Sequence, residues 1–266
     1  MEMRGLMGGF YRICEWIMRL SVINLLWIFT SIPVWYLLLV MLTAPGVEDY
    51  ESFFVQTLIL IAILSPFTLF PSTSAMFSVA RKWVMGDTDV PLFKTFFRTY
   101  KENYLQAMLG GLLYTVLFAV LVIDYRLYAQ NIAGLGFLSM LFLFLIFLLL
   151  VSLLHFFSLL SHFRMKLLQL IRNALLLTIG RPIRTLVMAL FCLGAFWLST
   201  RFTFLILFFT GSVIAYVVYY NFHIMLAKIM EKAEAQKNKR QDEEEEQDAL
   251  DAGESRLADQ VRDKRA

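Results

Sequence analysis

The chain has 266 residues, 59% of them hydrophobic and 17% charged, with a formal net charge of +3. A mean hydropathy of +0.66 exceeds that of ordinary soluble domains and excludes a single water-soluble core. The cations stand beside apolar runs, where anionic headgroups are the nearer partner, so nucleic-acid binding is not expected.

Residues 1–19 carry Arg4, Arg12 and Arg19 with Phe10, Ile13, Trp16 and Ile17 between them, a basic amphipathic lead-in. Residues 20–42 are long enough for a first membrane span, interrupted by Asn24 and Pro33. The segment 43–56 holds Glu48, Asp49 and Glu51 and no Lys or Arg, which marks an outside loop. Residues 57–80 form a second span. Pro66 and Pro71 are expected to break it, with Ser72, Thr73 and Ser74 following at once. Irregular backbone at membrane depth persists only where protein buries it or water lines it, so Pro66, Pro71, Ser72 and Thr73 are a candidate broken-helix groove.

Residues 81–104 are the largest polar interruption. A turn at 85–89 leads to Pro91, placed for the first turn of a helix. From residue 92 the pattern is helical, with Leu92, Phe93, Phe96, Phe97, Tyr100 and Tyr104 on one face and Lys94, Arg98, Lys101 and Glu102 on the other. Such a helix is expected to lie in the membrane surface, facing anionic headgroups. Phe93, Lys94, Phe97, Arg98 and Lys101 are also a candidate surface for docking a partner.

Residues 105–123 are a third span, with Gly110 and Gly111 giving a small surface for close helix approach. A short outside turn leads to a fourth span, 135–160. Residues 161–184 repeat the basic theme with Arg164, Lys166, Arg172, Arg181 and Arg184 and no acid, and Gly180, Arg181 and Pro182 signal a helix stop. Residues 185–200 and 202–226 are the fifth and sixth spans. Residues 228–266 leave the membrane as a charged tail, expected to be disordered, with five consecutive acids at 242–246.

With these assignments the inside segments hold 18 Lys and Arg, taking only Lys228, Lys232, Lys237, Lys239 and Arg240 from the tail, and the outside loops hold only Arg126 and Arg201. The positive-inside rule then puts both termini in the cytoplasm. Cys14 and Cys192 are expected at different depths and lack metal-ligand spacing. No metal motif, nucleophile with a base partner, or phosphate loop is visible, so no catalytic residue, cofactor or metal is expected. No span has a carboxylate in its middle, which argues against ion-driven pumping.

The segment from Phe70 to Gln106 carries a family resemblance. Phe70, Pro71, Ser72, Thr73, Ser74, Ala75 and Met76, then Arg81, Lys82, Trp83 and Gly86, then Phe93, Phe97, Tyr100, Lys101, Glu102, Asn103 and Gln106 resemble the YesL-like family of bacterial membrane proteins. Met7 through Arg12, Asn24 through Trp27, and Ser31, Ile32 and Pro33 fit its N-terminal pattern. The resemblance covers roughly 5–225. It implies a Gram-positive bacterial cell membrane and a role near carbohydrate uptake, because genes of such proteins often sit beside uptake and polysaccharide-degradation genes.

The expected architecture is all-α and polytopic, with six transmembrane helices in residues 1–227 and amphipathic cytoplasmic helices. The expected function is non-enzymatic: an accessory or regulatory component of carbohydrate uptake, with 92–104 and 164–179 engaging a partner such as the subunits of an ABC-type sugar transporter. The alternative is a small-solute or sugar transporter in its own right, built around the broken second span, with Asn24, Trp27 and Trp35 available beside Ser72 and Thr73.

Overall fold

The computed structural model describes residues 6–43, 46, 49–130 and 136–263, with the backbone alone at 6–8, 130, 136, 242 and 244–263. Arg4 and Glu48 of the expected loops lie outside the described residues. Ten α-helices and no strand occur among the described residues: α1 (Leu6–Thr30), α2 (Ile32–Thr43), α3 (Tyr50–Leu64), α4 (Leu69–Val84), α5 (Leu92–Gln130), α6 (Gly136–His162), α7 (Leu167–Gly180), α8 (Pro182–Arg201), α9 (Thr203–Phe208) and α10 (Thr210–Asp263). Five helices are long and apolar enough to cross a membrane, or six if the bent pair α3 and α4 counts as one span. The protein is all-α and multi-pass.

The expected first span, 20–42, is two helices. The basic lead-in runs without interruption into α1, and the chain breaks at Ser31, where the Ser31 hydroxyl donates to the Trp27 carbonyl. The physical cause is Pro33. Its ring excludes the carbonyl four residues back, and it has no N–H to give, so it sits in the first turn of a new helix.

The second span is broken as the prolines suggest, with α3 and α4 at 55° to each other. The two prolines act differently, however. Pro66 lies in the break, whereas Pro71 is the third residue of α4, where no intrahelical N–H bond is due and a proline is tolerated. The helix runs on past Pro71, so this proline does not break it.

α4 ends at the expected turn. Gly86 adopts φ 92°, its N–H donates to the Trp83 carbonyl at 3.1 Å, and the Asp87 N–H donates to Lys82 at 2.9 Å. This pair of bonds closes the helix end and needs a residue that tolerates positive φ.

The amphipathic segment 92–104 is not a separate surface helix. It is the first third of α5, a single helix of 39 residues, about 58 Å long. No Gly or Pro interrupts it before Gly110, so nothing bends it into a membrane plane. Its inner face is not lipid-facing either: Phe96 and Thr95 are buried, and α4 packs along the helix.

The core of residues 1–222 lies where α1, α4, α5 and α6 meet, around Ile23, Ala75, Phe77, Val79, Ala107, Tyr114 and Phe156. Gly110 and Gly111 make this approach possible. The Phe156 ring stands where a Cβ on Gly110 would be, and Phe70 Cγ would be 2.6 Å from a Cβ on Gly111. The outward faces of α5, α6 and α8 expose Leu, Phe, Val and Ile along their length, as lipid-facing helices do.

α7 packs chiefly on α6, burying Leu170, Ile171, Ala174 and Thr178. It ends at Gly180, and α8 begins with Pro182, as the stop signal implies. The sixth span, 202–226, is broken at Phe209 into α9 and the start of α10.

Residues 223–266 form a second unit. The tail expected to be disordered is helical through Asp263. Its Ala, Glu, Gln, Lys and Arg content explains this, since these residues lose little freedom in a helix.

Candidate functional site

Three helix breaks, at Ser31, at 65–68 and at Phe209, are tied together by uncharged polar side chains of α1. Asn24 is fully buried and lies across the α9–α10 break. Its amide donates to the carbonyls of Ile206 at 2.9 Å and Leu207 at 2.7 Å, and its oxygen accepts the Ser212 N–H at 3.1 Å. These are backbone groups that the end of one helix and the start of the next leave unpaired, and one side chain satisfies three of them. Gly211 gives room for this: a Cβ there would stand 2.8 Å from both Asn24 Oδ1 and the Trp27 ring.

One turn on, Trp27 Nε1 donates to Thr73 Oγ1 at 3.0 Å, and the Trp27 ring meets that of Trp35 edge-on at 5.3 Å. Thr30 Oγ1 donates to Ser72 Oγ at 2.8 Å, and Ser72 in turn donates to the Thr68 carbonyl within the α3–α4 break. The Trp35 indole nitrogen and Ser74 Oγ are buried without a hydrogen-bond partner among the described residues. Such an orphan costs about 1–3 kcal/mol and is uncommon in a folded protein.

Of the four groove candidates, Ser72 and Thr73 are bonded to α1. Pro66, Pro71 and Ser72 are buried and Thr73 is half-buried. Trp27 and Trp35 meet beside Thr73, and Asn24 lies one turn before Trp27 on α1, bonded to the α9–α10 break.

A second concentration of polar groups lies at one end of the bundle. The Trp16 ring packs edge-on against Trp83 at 5.6 Å and Tyr216 at 5.4 Å. Arg19 pairs with Asp89 at 2.8 Å and with Glu15, joining α1 to the loop before α5. Arg81 donates to the Ser161 carbonyl at 3.0 Å, a cation on the electronegative end of α6. His162 Nδ1 and Tyr219 Oη lie 2.6 Å apart. The basic segments 8–19, 81–104 and 161–166 thus share one end.

Gln106 Nε2 donates to the Met165 carbonyl just past the end of α6, at 3.0 Å. Residues 92–105 of α5 therefore extend beyond α6 by about 20 Å. On this extension Phe93 is 61% exposed and Phe97 39% exposed, one turn apart, beside exposed Lys94, Arg98 and Lys101. Arg98 is held by Glu102 at 2.8 Å. Lys94 and Lys101 make no ion pair among the described residues.

Residue-by-residue reading underestimated Asn24, Arg81 and Ser161. Asn24 reads in the sequence as an interruption of a span and as a polar group available to a solute, and only the chain's return near residue 206 gives it partners. Cys14 and Cys192 are free thiols, and no group of three or more potential metal ligands occurs among the described residues.

Residues 20–125 match a family described as "Protein of unknown function, DUF624". The chain is 29% identical over 237 residues to the Bacillus subtilis protein named "Uncharacterized protein YesL", covering 89% of this chain and 95% of that one. It is 29% identical over 216 residues to "Uncharacterized protein YteU" of the same organism, covering 81% and 84%. With "Uncharacterized protein YesV" it shares 34% over 123 residues, covering 46% and 59%. No solved structure matches. The matches agree with the residues that carry the resemblance, and together they support a likeness to the YesL-like DUF624 proteins.

Proposed function

We propose that this multi-pass membrane protein is a non-enzymatic accessory component of carbohydrate uptake that docks a cytoplasmic face of its partner on the basic end of the bundle. The observation that supports this most is the α5 extension: two exposed phenylalanines and three exposed cations on a rigid helix that runs about 20 Å past the end of α6. The 18-to-2 distribution of Lys and Arg across the membrane-proximal segments supports a cytoplasmic location for that end and for both termini. The carbohydrate role is what the YesL-like resemblance implies, and subunits of an ABC-type sugar transporter are the partner class that follows from it.

The test is co-purification in mild detergent from cells grown on different sugars, with crosslinking. Recovery of transporter subunits with the wild type, and their loss with Phe93→Ala and Phe97→Ala together, supports the reading. A protein that runs alone after crosslinking refutes it.

A further inference from the structure

We propose that the centre formed by Asn24, Trp27, Thr30, Trp35, Ser72 and Thr73 is a binding site for an uncharged polyhydroxylated solute, and that the α2–α3 hairpin is its cover. The chemistry of the centre narrows the ligand from three sides. It contains no charged side chain, so an ionic ligand would be buried without a counter-charge. Two of its indole and hydroxyl groups are paired across helices, Trp27 with Thr73 and Thr30 with Ser72, so a purely apolar ligand that parted them would leave each unpaired. Two indole rings set at 81° offer apolar walls. What remains is a ligand with apolar faces and a rim of neutral hydrogen-bonding groups, such as a pyranose. The buried Trp35 N–H, unpartnered among the described residues, is a donor that such a ligand would engage.

The centre is closed as it stands, and the fold indicates how it opens. α2 and α3 pack chiefly on each other, and α1 is the principal neighbour beyond the pair. Both of the hairpin's connections to the bundle are helix breaks, Ser31 on one side and 65–68 on the other. The Thr30–Ser72 bond ties α1 to α4, so these two helices stay in place while the lightly attached α2 and α3 swing. Breaks of this kind absorb backbone rotation that an intact helix resists. The proposal is independent of the docking reading, since it needs no partner protein.

The test uses the full chain, with Cys14→Ser and Cys192→Ser, in lipid nanodiscs. Tryptophan fluorescence and calorimetry follow titration with methyl α-glucoside, xylose and maltose, with glucose 6-phosphate as the charged control. Saturable binding of a neutral sugar but not the phosphate is expected. Trp35→Phe and Thr73→Val should each weaken it about tenfold, while Thr73→Ser, which keeps the hydroxyl, should not. Retention of binding by Thr73→Ser also shows that the site is folded in that background. No saturable signal with any of the three sugars overturns the proposal, and equal binding of the phosphate overturns it as well.

Discussion

The helix-break centre and the α5 extension both set polar side chains beside aromatic rings, and they dispose of them in opposite ways. In the centre almost every polar group has a partner on another helix: Asn24 donates to α9 and accepts from α10, Trp27 donates to Thr73, and Thr30 to Ser72. On the extension, Phe93 and Phe97 are exposed and Lys94 and Lys101 make no ion pair among the described residues. The first arrangement stabilises this fold. The second contributes little to it and is available to something else. Burial and pairing, not residue type, separate the two.

The comparison breaks most easily at Asn24. Replacing it with Leu leaves two carbonyls and one N–H without partners in apolar surroundings, and the apparent unfolding free energy in detergent should fall by about 3 kcal/mol or more. A melting temperature equal to that of the wild type would show that water or lipid headgroups reach the α9–α10 break.

Gly111→Ala is the next largest effect. The added methyl meets Phe70 Cγ at 2.6 Å, and overpacking of this kind costs about 1–3 kcal/mol. The double variant Gly111→Ala, Phe70→Leu should recover part of the loss, and guanidinium or SDS titration would measure it.

A double-mutant cycle on Thr30→Val and Ser72→Ala sharpens the contrast. Each single change leaves its partner hydroxyl without this bond, so each should cost about 1 kcal/mol, and the pair together should cost clearly less than the sum. Strict additivity would mean that the Thr30–Ser72 bond does not form in a bilayer.

The smallest expected effect lies on the extension. Phe93→Ala with Phe97→Ala should change stability by no more than about 0.5 kcal/mol each, while removing whatever co-purifies through that face. A large loss of stability from these changes would place the two rings in the fold's own packing.

The apolar runs, the basic connections between them and the stops at Gly86 and at Gly180–Pro182 were legible in the sequence, because they depend on composition and local backbone geometry. The breaks were read less well. Pro66 and Pro71 look alike along the chain, yet one lies in the α3–α4 break and the other, like Pro33, sits in the first turn of a helix. That distinction depends on where the preceding helix stops, and Ser31 and Thr68 are fixed by bonds within and between helices. The segment 92–104 reads as an interfacial helix because its hydrophobic periodicity is genuine. Its period does not reveal that α4, and not lipid, covers the inner face.

Local chemistry, then, determined that this chain is helical and enters lipid in several passes, since the transfer energy of an apolar run depends only on the run itself. The chain alone also placed the cations in a few connecting segments. The meeting of Trp27 with Thr73, and of Asn24 with the α9–α10 break, was decided by tertiary structure, as was the projection of Phe93 and Phe97 past α6. Both depend on which helices lie side by side, and that is set by packing at Gly110 and Gly111 and by hydrogen bonds whose partners stand up to 188 positions apart.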